Sequence, residues 1–132
     1  MAVTVTNSPI LAFNTIAAGT ENLATADTDA LAEVFTITPT APDGKCLIEL
    51  DLSNKLATAA ADSDATFSIA AGDFWASGAI TGTITKATKK IIQVETANVL
   101  QDDGTILLTL TPSATDKLLS NHAANVVCYE LL

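Results

Sequence analysis

From Glu33 onward the chain alternates hydrophobic and polar residues with a period of two. That period puts every second side chain on the same face of a β-strand. In EVFTITPT, Phe35 and Ile37 oppose Thr36 and Thr38, and Pro39 stops the run. APDGK follows with Asp43 and Gly44, turn residues that predict a hairpin into the next strand. CLIELDLSN sets Cys46, Ile48, Leu50 and Leu52 on one face and Leu47, Glu49 and Asp51 on the other, a strand with one buried side.

The pattern recurs to the end of the chain. KLATAAADSDA is small, polar and acidic, a loop at a sheet end, and TFSIA after it points Phe67 and Ile69 inward. AITGTITK alternates Ile80 and Ile84 with Thr81, Thr83 and Thr85, and Gly82 marks a bulge or a close approach. KATKK is a basic turn into IIQVET, where Ile92 and Val94 oppose Gln93 and Glu95. QDDG turns the chain into TILLTLTP, with Ile106, Leu108 and Leu110 on one face. SATDKLLSNHA predicts a single helical turn, and NVVCYELL a last strand. Cys46, Ile48, Leu50, Leu52, Ile92, Val94, Ile106, Leu108 and Leu110 are thus expected to line one core.

Strands with turn chemistry between them, and no long 3.6-residue periodicity, predict an all-β fold: an antiparallel β-sandwich or jelly-roll-like barrel. Residues 1–30 differ. MAVTVTNSP alternates Val3 and Val5 as a strand would, but AAGTENLATADTDA carries no core pattern. The first 30 residues therefore read as an extended N-terminal arm and loop, with a short helix over Glu21–Ala30 as the alternative. Residues 31–132 read as a single β domain, of a size that buries a core without metal or disulfide.

TFSIAAGDFWASG places the single tryptophan beside a phenylalanine in a chain that is only 5% aromatic. Adjacent residues on a strand face opposite ways. Phe74 is expected to plug the end of the core, and Trp75 to be shielded by a loop or to anchor an interface.

Charge removes whole classes of function. The net charge is −9, from fifteen carboxylates against six basic residues, all of them lysine. Nucleic-acid binding needs a basic footprint, so it is excluded. No run approaches the ~18 apolar residues that span a bilayer, and no basic n-region precedes PILAFNTIAAG, so the chain reads as made in the cytoplasm without membrane contact. Cys46 and Cys128 lie in apolar strand-like runs as buried free thiols, or as a disulfide if their strands are neighbours.

Catalytic and metal sites find no constellation. His122 is the only histidine, in a turn before a strand, with no G-x-S-x-G elbow to supply a nucleophile. The pairs Asp27/Asp29, Asp62/Asp64 and Asp102/Asp103 lack the spacing of a calcium loop and read as solvated carboxylates. One histidine and two distant cysteines do not make a zinc site. The glycines fall at turns. The expectation is a non-enzyme without metal or cofactor. Lys86, Lys89 and Lys90 form the one basic cluster, a solvated tip or a contact for an acidic partner.

The stretches VFTITPTAPDGKCLIEL, TFSIAAGDFWASG and IIQVETANVLQDDGTILLTLTPSATDKLL resemble those of small structural proteins of tailed bacteriophages, capsid decoration (head auxiliary) proteins among them. The resemblance covers about residues 33–132 and rests on Thr-rich strands, DGK and DGT turns and the SIAAG turn. It implies an all-β virion protein that binds the major capsid protein on the outside of an assembled shell and self-associates, often as a trimer. The alternatives are another phage structural part, from the tail or head–tail junction, or a bacterial surface or secreted binding module. Because repetition multiplies weak contacts, the N-terminal strand is a candidate arm to a neighbouring subunit or to the capsid, the alternative being that it pairs within its own sandwich. Val3, Val5, Ile10 and Phe13 would be its anchors, with Trp75 and Lys86, Lys89 and Lys90 as further interface candidates.

Overall fold

Alternation sets which way each strand turns its side chains, and the folded chain follows it closely. A computed structural model describes residues 2–5, 8–11, 22–23, 32–41, 43–53, 64–74, 78–113 and 124–131. Strand β4 (Glu33–Ile37) buries Phe35 and Ile37, and β5 (Lys45–Asp51) buries Cys46, Ile48 and Leu50. β6 (Ala65–Ile69) buries Phe67 and Ile69, and β7 (Ile80–Ile84) buries Ile84. β8 (Lys89–Glu95) buries Ile92 and Val94, and β9 (Ile106–Pro112) buries Ile106, Leu108 and Leu110. β10 (Asn125–Leu131) adds Val126 and Cys128. All nine residues expected from the sequence to share a core do so. Ile80, of inward parity but at the end of its strand, is left exposed.

Two sheets enclose this core. Sheet I runs β1–β4–β9–β6–β7, with β1 at Ala2–Val5; sheet II runs β2–β10–β5–β8, with β2 at Ser8–Leu11. The two-residue β3 (Asn22–Leu23) also pairs with β10, so no helix begins at Glu21 and continues through those residues. The fold is an all-β sandwich. It is mixed rather than purely antiparallel, because β1 runs parallel to β4 and β2 parallel to β10.

Among the described strands only β6 and β7 are neighbours both in sequence and in a sheet. The hairpin expected between β4 and β5 does not form; that turn carries the chain from sheet I to sheet II. Its anchor is on β10. The buried Glu130 carboxylate accepts hydrogen bonds from Thr40 N (2.6 Å), Thr40 Oγ1 (2.7 Å) and Ala41 N (3.1 Å). Gly44 lets the turn approach β10 closely, since a Cβ there would lie 2.5 Å from the Leu131 carbonyl oxygen. A one-turn helix, α1 (Thr96–Val99), makes the crossing from β8 to β9.

The two long sides of the sandwich are closed differently. On one side β1 and β2, only two residues apart in sequence, edge the two sheets in turn. On the other, Lys90 reaches from β8 across to β7: its Nζ donates to the Thr83 carbonyl (2.6 Å) and sits 5.6 Å from the centre of the Phe67 ring. A lysine on an edge strand also discourages further strand addition. Gly82 is the close approach anticipated from the sequence, because a Cβ there would fall 2.7 Å from the Phe67 ring.

Candidate interaction surfaces

The candidate residues divide between the core, the surface and segments outside the described residues. Val3 and Val5 belong to β1, in register with Phe35 and Ile37, and Val5 is buried in the core of its own chain. Ile10 lies in β2, beside β10. Phe13, Trp75 and His122 lie outside the described residues, as do Asp27, Asp29, Asp62 and residues 114–123, where a helical turn is expected. The strands of the N-terminal segment therefore pair within the sandwich, and among the described strands β1 and β2 each stand at the edge of a sheet.

Phe74 is not the core plug expected from its sequence; it is 61% exposed. Backbone bonds turn the chain away from the sandwich end before Phe74 is reached. Gly72 N donates to Asn98 O (3.1 Å) and Asp73 N to Leu100 O (3.0 Å). The Asp73 carboxylate then accepts from Asp102 N at 2.8 Å. Asp103 closes the neighbouring turn by accepting from Thr105 N (3.0 Å) and Thr105 Oγ1 (2.6 Å). These acids serve the turns. Among the described residues no group of three His, Cys, Asp or Glu side chains could hold a metal, and no helix is long and apolar enough to cross a membrane.

Lys86, Lys89 and Lys90 are all exposed, and Lys89 and Lys90, but not Lys86, line a groove of about 270 Å³ together with Thr83, Ile84, Thr85 and Thr88. Two of the three ammonium groups are held by the sandwich itself. Lys90 bridges to β7 as described. The Lys89 Nζ lies 3.4 Å from Asp51 Oδ2 and 3.7 Å from Glu49 Oε1. Burial pushes the Asp51 carboxyl up, but the bonds it accepts from Ser53 Oγ and Ser53 N, with Lys89 beside it, outweigh this and hold it below its usual 3.8. Lys86 offers its backbone N–H to Asp64 Oδ1 (2.8 Å), which places Asp64 as a turn acceptor too.

The cysteines, left open by the sequence, lie on neighbouring strands as free buried thiols. Cys46 pairs opposite Glu130 and Cys128 opposite Ile48, a diagonal placement. The hydrogen bond from Cys128 lowers Cys46 to about 7 against the opposing effect of burial, with Thr96 Oγ1 a further partner at 3.3 Å from its sulfur. The same bond, with burial, pushes Cys128 up, so Cys46 is the first of the pair to ionise.

One surface was not singled out by sequence reasoning, and register reveals it. With Ala65, Phe67 and Ile69 inward, β6 turns Thr66 and Ser68 out; by the same parity β7, β9, β4 and β1 turn out threonines of their own. The pairing aligns them in rows. Thr83, Thr66 and Thr111 form one row, and Thr81, Ser68, Thr109 and Val34 the next. Leu107, Thr36 and Thr4 form the third. No charged side chain stands on any of these positions, which span all five strands. Every one of them is exposed or half-buried, so the face is open.

No protein-family model, curated protein or solved structure matches the chain.

Proposed function

We propose that the chain is a non-enzymatic virion protein of a tailed bacteriophage, a decoration protein that binds the major capsid protein on the exterior of an assembled shell and stabilises it. The observation that carries this reading is where the resembling stretches fall. VFTIT, TFSI and TILLTLT are strands β4, β6 and β9, side by side in the middle of sheet I. The Thr-rich texture behind the resemblance is therefore one continuous surface rather than scattered composition. A sandwich with an open uncharged face and acidic loops suits a protein that works by contact.

The test is co-sedimentation of the purified protein with empty expanded shells assembled from the major capsid protein of its own genome. Saturable binding at a fixed number of copies per capsid subunit is expected. Failure to bind shells, with binding to isolated tails, would move the protein to the tail or head–tail junction. Binding to neither would end the virion reading.

A further inference from the structure

We propose that the outer face of sheet I is a homotypic interface, through which two copies of this chain pair face to face about a two-fold axis. The inference does not rest on the virion reading, and it differs from the trimer that the resemblance implies. Three features of the face lead to it.

The first is chemical. A hydroxyl is both donor and acceptor, so a face of threonine and serine is complementary to itself; carboxylate or ammonium faces need a partner of another kind. An isologous two-fold contact demands that self-complementarity. The rows through Thr66, Ser68 and Thr109 present hydroxyls and methyls together, flanked by Val34 and Leu107, so two copies would bring both polar and apolar groups into register.

The second is electrostatic. Each copy carries a net charge of −9, and like-charged molecules repel. The repulsion is least where the carboxylates are furthest from the contact. Sheet faces stack about 10 Å apart, close to the Debye length of about 8 Å at physiological ionic strength, so charges beyond the rim are largely screened across such an interface.

The third separates this face from a generic solvated strand surface. β-propensity favours threonine at outward positions. Yet the matching positions of sheet II hold Lys45, Glu49, Lys89 and Glu95, so the same fold places charge on one face and withholds it from the other.

Size sets the strength. Five strands spaced by about 4.8 Å, carrying ten outward positions in three staggered rows, cover a few hundred Å², short of the roughly 800 Å² per partner of a standard interface. The pairing is therefore weak and concentration-dependent. Its salt response identifies its kind: screening the mutual repulsion of two acidic copies strengthens it. A head-to-tail contact between the lysine cluster and acidic loops would instead weaken with salt.

Sedimentation equilibrium of the full chain from about 10 μM to about 1 mM, at low and high sodium chloride, reads this directly. A monomer–dimer equilibrium that tightens with salt is expected. Thr66→Lys and Thr109→Glu, each checked for a native circular dichroism spectrum, should weaken it by at least about tenfold. Gln93→Glu, on the outer face of sheet II, should leave it unchanged. A monomer at the highest concentration, a trimer, a dimer that weakens with salt, or a dimer indifferent to both sheet I variants would each overturn the proposal. Thr66 is exposed, so at least the Thr66→Lys variant reports on a folded protein.

Discussion

Sheet I shows solvent threonine, serine, valine and leucine, in rows, without a charge. Sheet II shows Lys45, Glu49, Lys89 and Glu95, together with Ile91, which is 65% exposed. Sheet II is also partly covered: Asn125 and Val127 of β10 have outward parity yet are buried, and so is Asp51. The inner faces show no such contrast. Both are mainly apolar, with Phe35 and Phe67 on sheet I and the two cysteines on sheet II, and each buries one glutamate of inward parity, Glu33 on sheet I and Glu130 on sheet II. The core explains why the chain folds and is indifferent to which sheet faces what. The outside distinguishes them: one face carries lysines and glutamates, the other none on its aligned rows.

The largest expected effects test the equivalence of the inner faces. Leu50→Ala in sheet II and Leu110→Ala in sheet I remove fully buried side chains, and each should cost ~2–5 kcal/mol in denaturant titration. A loss under ~0.5 kcal/mol at either position would contradict its inward register. Next is Gly82→Ala, directly beneath the threonine face. Its methyl group would meet the Phe67 ring at 2.7 Å, so an overpacking cost of ~1–3 kcal/mol is expected. An unchanged midpoint would mean that the Phe67 ring does not rest on that strand.

A pH titration sharpens the charged side of the comparison. Asp51 is held below its ordinary 3.8 in the folded chain, so it contributes stability above that value and loses it as pH falls through the lower folded value. Asp51→Asn should remove this part of the acid limb, leaving a shallower decline of stability below about pH 4. An identical acid limb in the variant would show that the bonds from Ser53 and the proximity of Lys89 do not favour the carboxylate. The smallest effect belongs to the threonine face. Thr66→Lys should change monomer stability by no more than ~0.5 kcal/mol, because the side chain is exposed and makes its difference only in association.

Much of the fold is legible in the sequence, and what escapes it has one physical source. Period-two alternation tells which residues of a strand share a face, so the inward set from Cys46 to Leu110 is readable without coordinates. It says nothing of which strand lies alongside. APDGK reads as a hairpin turn, yet Glu130, ninety residues from Thr40, binds that turn and sends the chain to the other sheet. Phe74 reads as core because it is large and follows a strand; the bonds from Gly72 and Asp73 to Asn98 and Leu100 that turn it outward join segments remote in sequence. The threonine face is the same case. Each TxT or TxS run is visible by itself, in TFS, TGT and TLT, but only the register of five strands shows that the runs align and that no charge interrupts them.

The most direct measurement follows the methyl resonances of the intact protein in solution as its concentration rises. The threonine methyls of Thr66, Thr83, Thr109 and Thr111 should shift progressively, while Ile91 on the outer face of sheet II stays still. Movement of Ile91 with silent threonines, or no movement anywhere up to the solubility limit, would contradict the assignment of association to sheet I.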